Sequence, residues 1–110
     1  MTTTAVTIIQ SKAVEAAETK QYSFANGKTI VDKFDVCNTT ATAITFTARI
    51  VPGGGVADSS NTLLSNKSIA AGETYRCTEI VGHILEATDS ISTLAGAVGL
   101  TLRASGRQVT

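Results

Sequence analysis

Period-two alternation of apolar and polar residues runs through most of this chain, the mark of strands with one face buried. In ATAITFTARIV, Ile44, Phe46, Ala48 and Ile50 fall on one side and Thr45, Thr47 and Arg49 on the other. TIVDKFDVC groups Ile30, Phe34 and Val36, with Asp32 on the same side, which suggests a wet strand end. AVGLTLRAS places Val98, Leu100, Leu102 and Ala104 inward. TYRCTEIV sets Tyr75, Cys77 and Val81 against Arg76, Thr78 and Ile80. Weaker strands are predicted at AVTII, KQYSF, TLL and SIST.

The connections carry turn chemistry. Asn26-Gly27 in ANGK predicts a hairpin joining KQYSF to TIVDKFDVC, because this pair adopts positive φ at low cost. CNTTA, AAGE and ATDS join the following strands. The run from Pro52 to Asn61, PGGGVADSSN, is long, nearly free of bulk and expected to be flexible. SKAVEAAETK, Ser11 to Lys20, consists of good helix formers and leaves a short helix open as an alternative to strand. About seven or eight short strands at spacings of about 8 to 12 residues predict one all-β domain over 1–110, a two-sheet antiparallel β-sandwich or jelly roll. Residues 1–5 and 106–110 are expected to be extended arms outside the core, able to lie against a neighbour.

Composition changes this picture in one respect. Charged residues are only 16% of the chain, against roughly 25% in ordinary domains. Such a surface loses less ion solvation when another protein covers it. Nine basic residues balance nine acidic ones without forming a run, which argues against a nucleic-acid partner. No apolar stretch approaches the roughly 20 residues needed to cross a bilayer. MTTTAVTIIQ lacks the pattern of a secretory signal, so folding in the cytosol is expected, with Cys37 and Cys77 kept as thiols. Asn38 and Asn66 begin NTT and NKS, read as turn chemistry rather than glycan acceptors.

Reactive groups are few. His83 is the only histidine; a catalytic role would require Glu86 or Asp89 to orient it and a nucleophile that no motif supplies. Cys37, Cys77 and His83 lack metal-ligand spacing, Gly53-Gly54-Gly55 is not followed by the lysine of a phosphate loop, and Asp58 has no companion carboxylates for calcium. No catalytic residue, metal or cofactor is therefore expected. Tyr22, Phe24, Phe34, Phe46 and Tyr75 are the only aromatics and are mostly expected in the core, which weakens a sugar-binding reading.

DVCNTTATAITFTARIVPGGG, SIAAGETYRCTEIV, ILEATDSISTLAG and AVGLTLRAS together resemble small virion proteins of tailed bacteriophages. The shared pattern is a strand ending in Cys-Asn, a Thr- and Ala-rich turn, a strand closing on a Pro-Gly loop and an Ile-Ala-Ala-Gly-Glu-Thr turn, over about residues 30 to 105. The resemblance implies a capsid decoration or cement protein located in the virion, whose partners are the major capsid protein or another virion protein, and itself as a dimer or trimer. A neck or tail adaptor or fibre-associated role is the alternative, and a carbohydrate-binding module a third. Contact is expected through edge-strand pairing and the arms, with Thr2, Thr3, Thr4, Val6, Ile8, Pro52, Gly53, Gly54, Gly55, Asp58, Asn61, Arg107, Gln108 and Val109 as candidates.

Overall fold

The computed structural model describes residues 1–110 and contains nine strands: β1 (Thr3–Ala13), β2 (Thr19–Ser23), β3 (Lys28–Asn38), β4 (Ile44–Val51), β5 (Thr62–Ile69), β6 (Thr74–Arg76), β7 (Ile84–Leu85), β8 (Ser90–Ala95) and β9 (Leu100–Val109). They form two antiparallel sheets, one ordered β1-β9-β3-β6 with β7 also on β3, the other β2-β8-β4-β5. The chain passes from one sheet to the other at almost every connection, the strand order of a jelly roll.

Between the sheets lies a core of 19 buried residues. Phe34 of β3 and Phe46 of β4, both fully buried, meet across it with ring centroids 6.3 Å apart. The alternation places Phe34, Val36, Ile44, Phe46, Ala48, Leu100, Leu102 and Ala104 inside as expected.

The departures have local causes. A register shift between Val31 and Lys33 puts Asp32 in a bulge, so Val31 is fully buried and Ile30 faces outward, reversing the phase expected there. Opposite this bulge lies Gly106, where a Cβ would stand 2.1 Å from the Ile30 carbonyl oxygen, so only glycine fits. In β4 the register shifts beside Ala48 bury Thr47 and Val51, while Ile50 is only half-buried. TYRCTEIV is not one strand: β6 stops at Arg76, and the chain turns so that Ile80, expected on the outside, is fully buried. Val98 sits 78% exposed in the turn before β9.

ANGK is not a hairpin turn. It carries the chain from β2 in one sheet to β3 in the other. CNTTA, AAGE and ATDS likewise cross between sheets. Ser11 to Lys20 contains no helix; β1 runs to Ala13, a loop follows and β2 starts at Thr19. The terminal segments are not free arms. Thr3 to Thr7 pair with Ser105 to Val109, and Thr2 and Thr110 exchange both backbone hydrogen bonds, at 2.7 and 2.9 Å.

Candidate contact surface

The strand registers divide the loops between two ends of the sandwich. One end carries residues 39–43, 70–73 and 96–99 and is tied shut by Asn38. This fully buried side chain donates to the carbonyls of Thr42 (2.8 Å) and Ile69 (2.9 Å) and accepts from Thr40 N (2.9 Å) and Thr40 Oγ1 (2.7 Å). Its backbone carbonyl accepts from Gly72 and its N–H donates to Glu73, so one residue anchors two loops.

The opposite end holds both termini, residues 24–27, the Pro52–Asn61 loop and residues 86–89. The structure thus gathers the three stretches of candidate contact residues, at the N-terminus, in the Pro52–Asn61 loop and at the C-terminus, at one rim. Thr88 N donates to Phe24 O (2.9 Å) and Gly53 N to Asp89 Oδ1 (2.9 Å), linking the loops. Val56, 76% exposed, and Ile84, 54% exposed, leave apolar surface here.

The Pro52–Asn61 loop, expected to be flexible, is built. Asp58 caps a short 3-10 turn (Ser59–Asn61) by accepting from Ser60 N (2.8 Å) and Oγ (2.5 Å), while Asn61 accepts from Asp58 N (3.1 Å) and donates to Val56 O (2.9 Å). The Ser60 hydrogen bonds hold the Asp58 carboxyl below its ordinary range. Arg49 clamps the loop to the sheet: its Nε donates to Asp58 O (3.1 Å) and Thr62 Oγ1 (2.8 Å), and its Nη1 pairs with Glu18, which also accepts from Ser92. Asp58 and Asn61 therefore make hydrogen bonds within the loop, while residues 52–56 and 58–60 form its exposed surface. Neither Arg49 nor Glu18 was indicated by the sequence, because they are joined only across the fold.

Among the terminal candidates, Thr2, Thr3 and Thr4 are exposed and Val6 and Val109 half-buried. Ile8 is 6% exposed and belongs to the core, so it is corrected as a contact residue. Arg107 is bound in a two-pronged ion pair to Asp32, 2.9 Å on both arms, which lowers the carboxyl and raises the guanidinium from their ordinary ranges. Gln108 donates to Tyr22 Oη (2.9 Å), which also bonds Thr29 Oγ1 (2.8 Å).

The titratable residues are scattered. His83 is exposed; Glu86 pairs with Lys28 at 3.5 Å, and Asp89 accepts from Gly53 N and Glu86 N, so neither carboxylate orients the imidazole. Cys37 and Cys77 are unbridged, and burial pushes the Cys77 thiol up to about 12, with Glu79 adding to it. Tyr75 donates to Glu79 (2.6 Å), the main reason its hydroxyl is raised to about 12, and Lys67 Nζ stands 5.1 Å from the centre of its ring. No helix is long and apolar enough to cross a membrane.

No protein-family model matches the chain, and no curated protein sequence matches it. Among solved structures, a chain in the structure of infectious bursal disease virus, Gx strain, aligns over 96% of this chain with a TM-score of 0.48 and 17% identity. This chain spans 32% of the length of that one.

Proposed function

We propose that this chain is a non-enzymatic structural virion protein that binds the outside of an assembled phage shell, bridging and stabilising its subunits as a decoration or cement protein. The observation that carries the reading is the open rim. There the built Pro52–Asn61 loop, both chain ends and the exposed apolar residues Val56 and Ile84 share one end of a weakly charged jelly roll. The virion-like run from Asp35 to Gly55 supports it, because that run ends in this loop. A ligand that binds only the assembled shell stabilises it by mass action, and many small contacts suffice when copies are numerous.

Mixing the purified protein with empty phage shells and imaging them by cryo-electron microscopy tests the reading. Saturable, regularly spaced density that Val56→Asp with Ile84→Asp abolishes is the expected result. Bare shells at saturating protein would refute it.

A further inference from the structure

The rims and the sheet edges are separate surfaces, and the edges differ sharply from one another. The edge of the first sheet beyond β3 is broken into β6, of 3 residues, and β7, of 2, by the intervening turn. In the second sheet, β2 has 5 residues and a register shift after Lys20, and β5 contains Asn66 at φ 49° and faces two shifts in β4. Short length, bulges and charge are the usual protection of an edge against added strands. The first part of β1 carries neither a bulge nor a charge, and β1 as a whole, with 11 residues, is the longest of the edge strands. Thr3 to Thr7 pair with β9 in unbroken register, contain no charge and no proline, and meet their first irregularity only after Thr7.

The direction of the free groups follows from the ladder. Thr2 and Thr110 form a hydrogen-bonded pair, and in an antiparallel ladder such pairs alternate with pairs that exchange no hydrogen bonds. Residues 2, 4 and 6 therefore address β9, whereas Thr3, Ala5 and Thr7 turn their N–H and C=O groups outward. All three are exposed. The spacing is self-complementary: with a two-fold axis at Ala5, Ala5 faces its own copy, Thr3 faces Thr7 and Thr4 faces Val6. Each Thr3–Thr7 pair sets two β-branched hydroxyl side chains opposite each other, a favourable cross-strand combination. Two charges flank this edge on the outer face: Arg107, opposite Ala5 and paired with Asp32, and Arg103, whose Nη2 donates to Thr7 Oγ1 at 3.4 Å and whose Nη1 donates to Ser11 Oγ at 3.3 Å.

We propose that two copies of this chain pair antiparallel through the β1 edge at Thr3, Ala5 and Thr7, making about six main-chain hydrogen bonds and one continuous sheet across a two-fold axis. This inference stands on β1 alone and does not depend on the shell-binding reading.

Sedimentation equilibrium of the purified full chain, with circular dichroism as a check on folding, tests it. The wild type is expected at twice the chain mass. Ala5→Pro removes the central outward N–H at an edge position where proline is tolerated, and is expected to give the single-chain mass with an unchanged strand spectrum. Ala5→Lys, which retains every backbone group but sets two ammonium groups face to face, is expected to do the same and decides the matter if the proline variant does not fold. Ala5→Cys is expected to cross-link to itself under mild oxidation, since facing Cα atoms of a hydrogen-bonded pair lie about 5.5 Å apart. A wild type that is monomeric at tens of micromolar overturns the proposal. So does an assembly of any size that a folded Ala5→Pro or Ala5→Lys variant leaves intact.

Discussion

The two ends of this jelly roll are organised by opposite means. At the Asn38 end a single buried amide fills its hydrogen-bonding capacity with carbonyl, amide and hydroxyl groups of two loops, and the turns between strands are short. At the terminal end the counterpart, Asp89, is only half-buried, and its carboxylate takes two bonds, from Gly53 N and Glu86 N. The loops are joined by single hydrogen bonds and by exposed ion pairs such as Lys28–Glu86, and Arg49 holds the long loop from the side, on the outer face of the second sheet. The closed end stabilises the sandwich and leaves one large apolar side chain uncovered, Val98, 78% exposed in the turn before β9. The open end presents more apolar surface, with Met1, Val56 and Ile84 uncovered.

Mutation of the closed end should cost most. Asn38→Ala deprives the buried Ile69 carbonyl of its donor and the 39–43 loop of its side-chain anchor, while the backbone bonds to Gly72 and Glu73 remain, and is expected to cost about 3 kcal/mol in urea denaturation. If the loss is no greater than at the open end, the distinction between the ends fails. Gly106→Ala, which drives a methyl group into the Ile30 carbonyl, should cost about 2 kcal/mol by the same measurement.

Arg49→Ala should cost a similar or smaller amount, about 1 to 2 kcal/mol, because the Glu18 pair is partly solvated. Its distinctive effect is local: limited proteolysis between Pro52 and Asn61 should accelerate well before the core opens, whereas Asn38→Ala should raise cleavage throughout.

Acid provides a finer comparison. Hydrogen bonds from Lys12 and Gln21 lower the Glu15 carboxyl from 4.5 to about 2. A carboxyl that titrates lower in the fold than in the unfolded chain stabilises the fold when ionised. That contribution is complete above about pH 4.5 and is lost as the pH falls toward about 2. Glu15→Gln should flatten the pH dependence of the urea midpoint in this window more than Asp58→Asn does in the open-end loop. The smallest effect is kinetic: an alkylating reagent at neutral pH should modify the half-buried Cys37 before the buried, high-pKa Cys77.

Much of the fold was legible because alternation reports which face of a strand is buried. Ile44, Phe46 and Ala48 of β4, and Leu100, Leu102 and Ala104 of β9, could be assigned inward from the sequence. The pattern failed where a bulge shifts the phase, at Ile30 and Val31 and again at Ile50 and Val51. It failed too at Ile80, where a turn replaces a strand. Of the candidate contact residues, the loop and the termini were recognisable from bulk and turn chemistry, but their meeting at one rim was not. Ala5, central to the β1 edge, was not among the candidates, because only the hydrogen-bond phase with β9 turns its N–H and C=O outward.

By itself, then, the sequence determined the strand character of the chain, nearly the number of strands (seven or eight expected against nine), the polar punctuation between them and most of the inward faces, since these depend on neighbours a few residues apart. Tertiary structure alone decided which sheet each strand joins, that Asn26-Gly27 crosses between sheets, and that β1 pairs with β9 and leaves its other edge free. A turn chemistry constrains φ and ψ at its own residues and says nothing about the next strand's partner. Partners are chosen by the simultaneous burial of side chains contributed from distant parts of the chain.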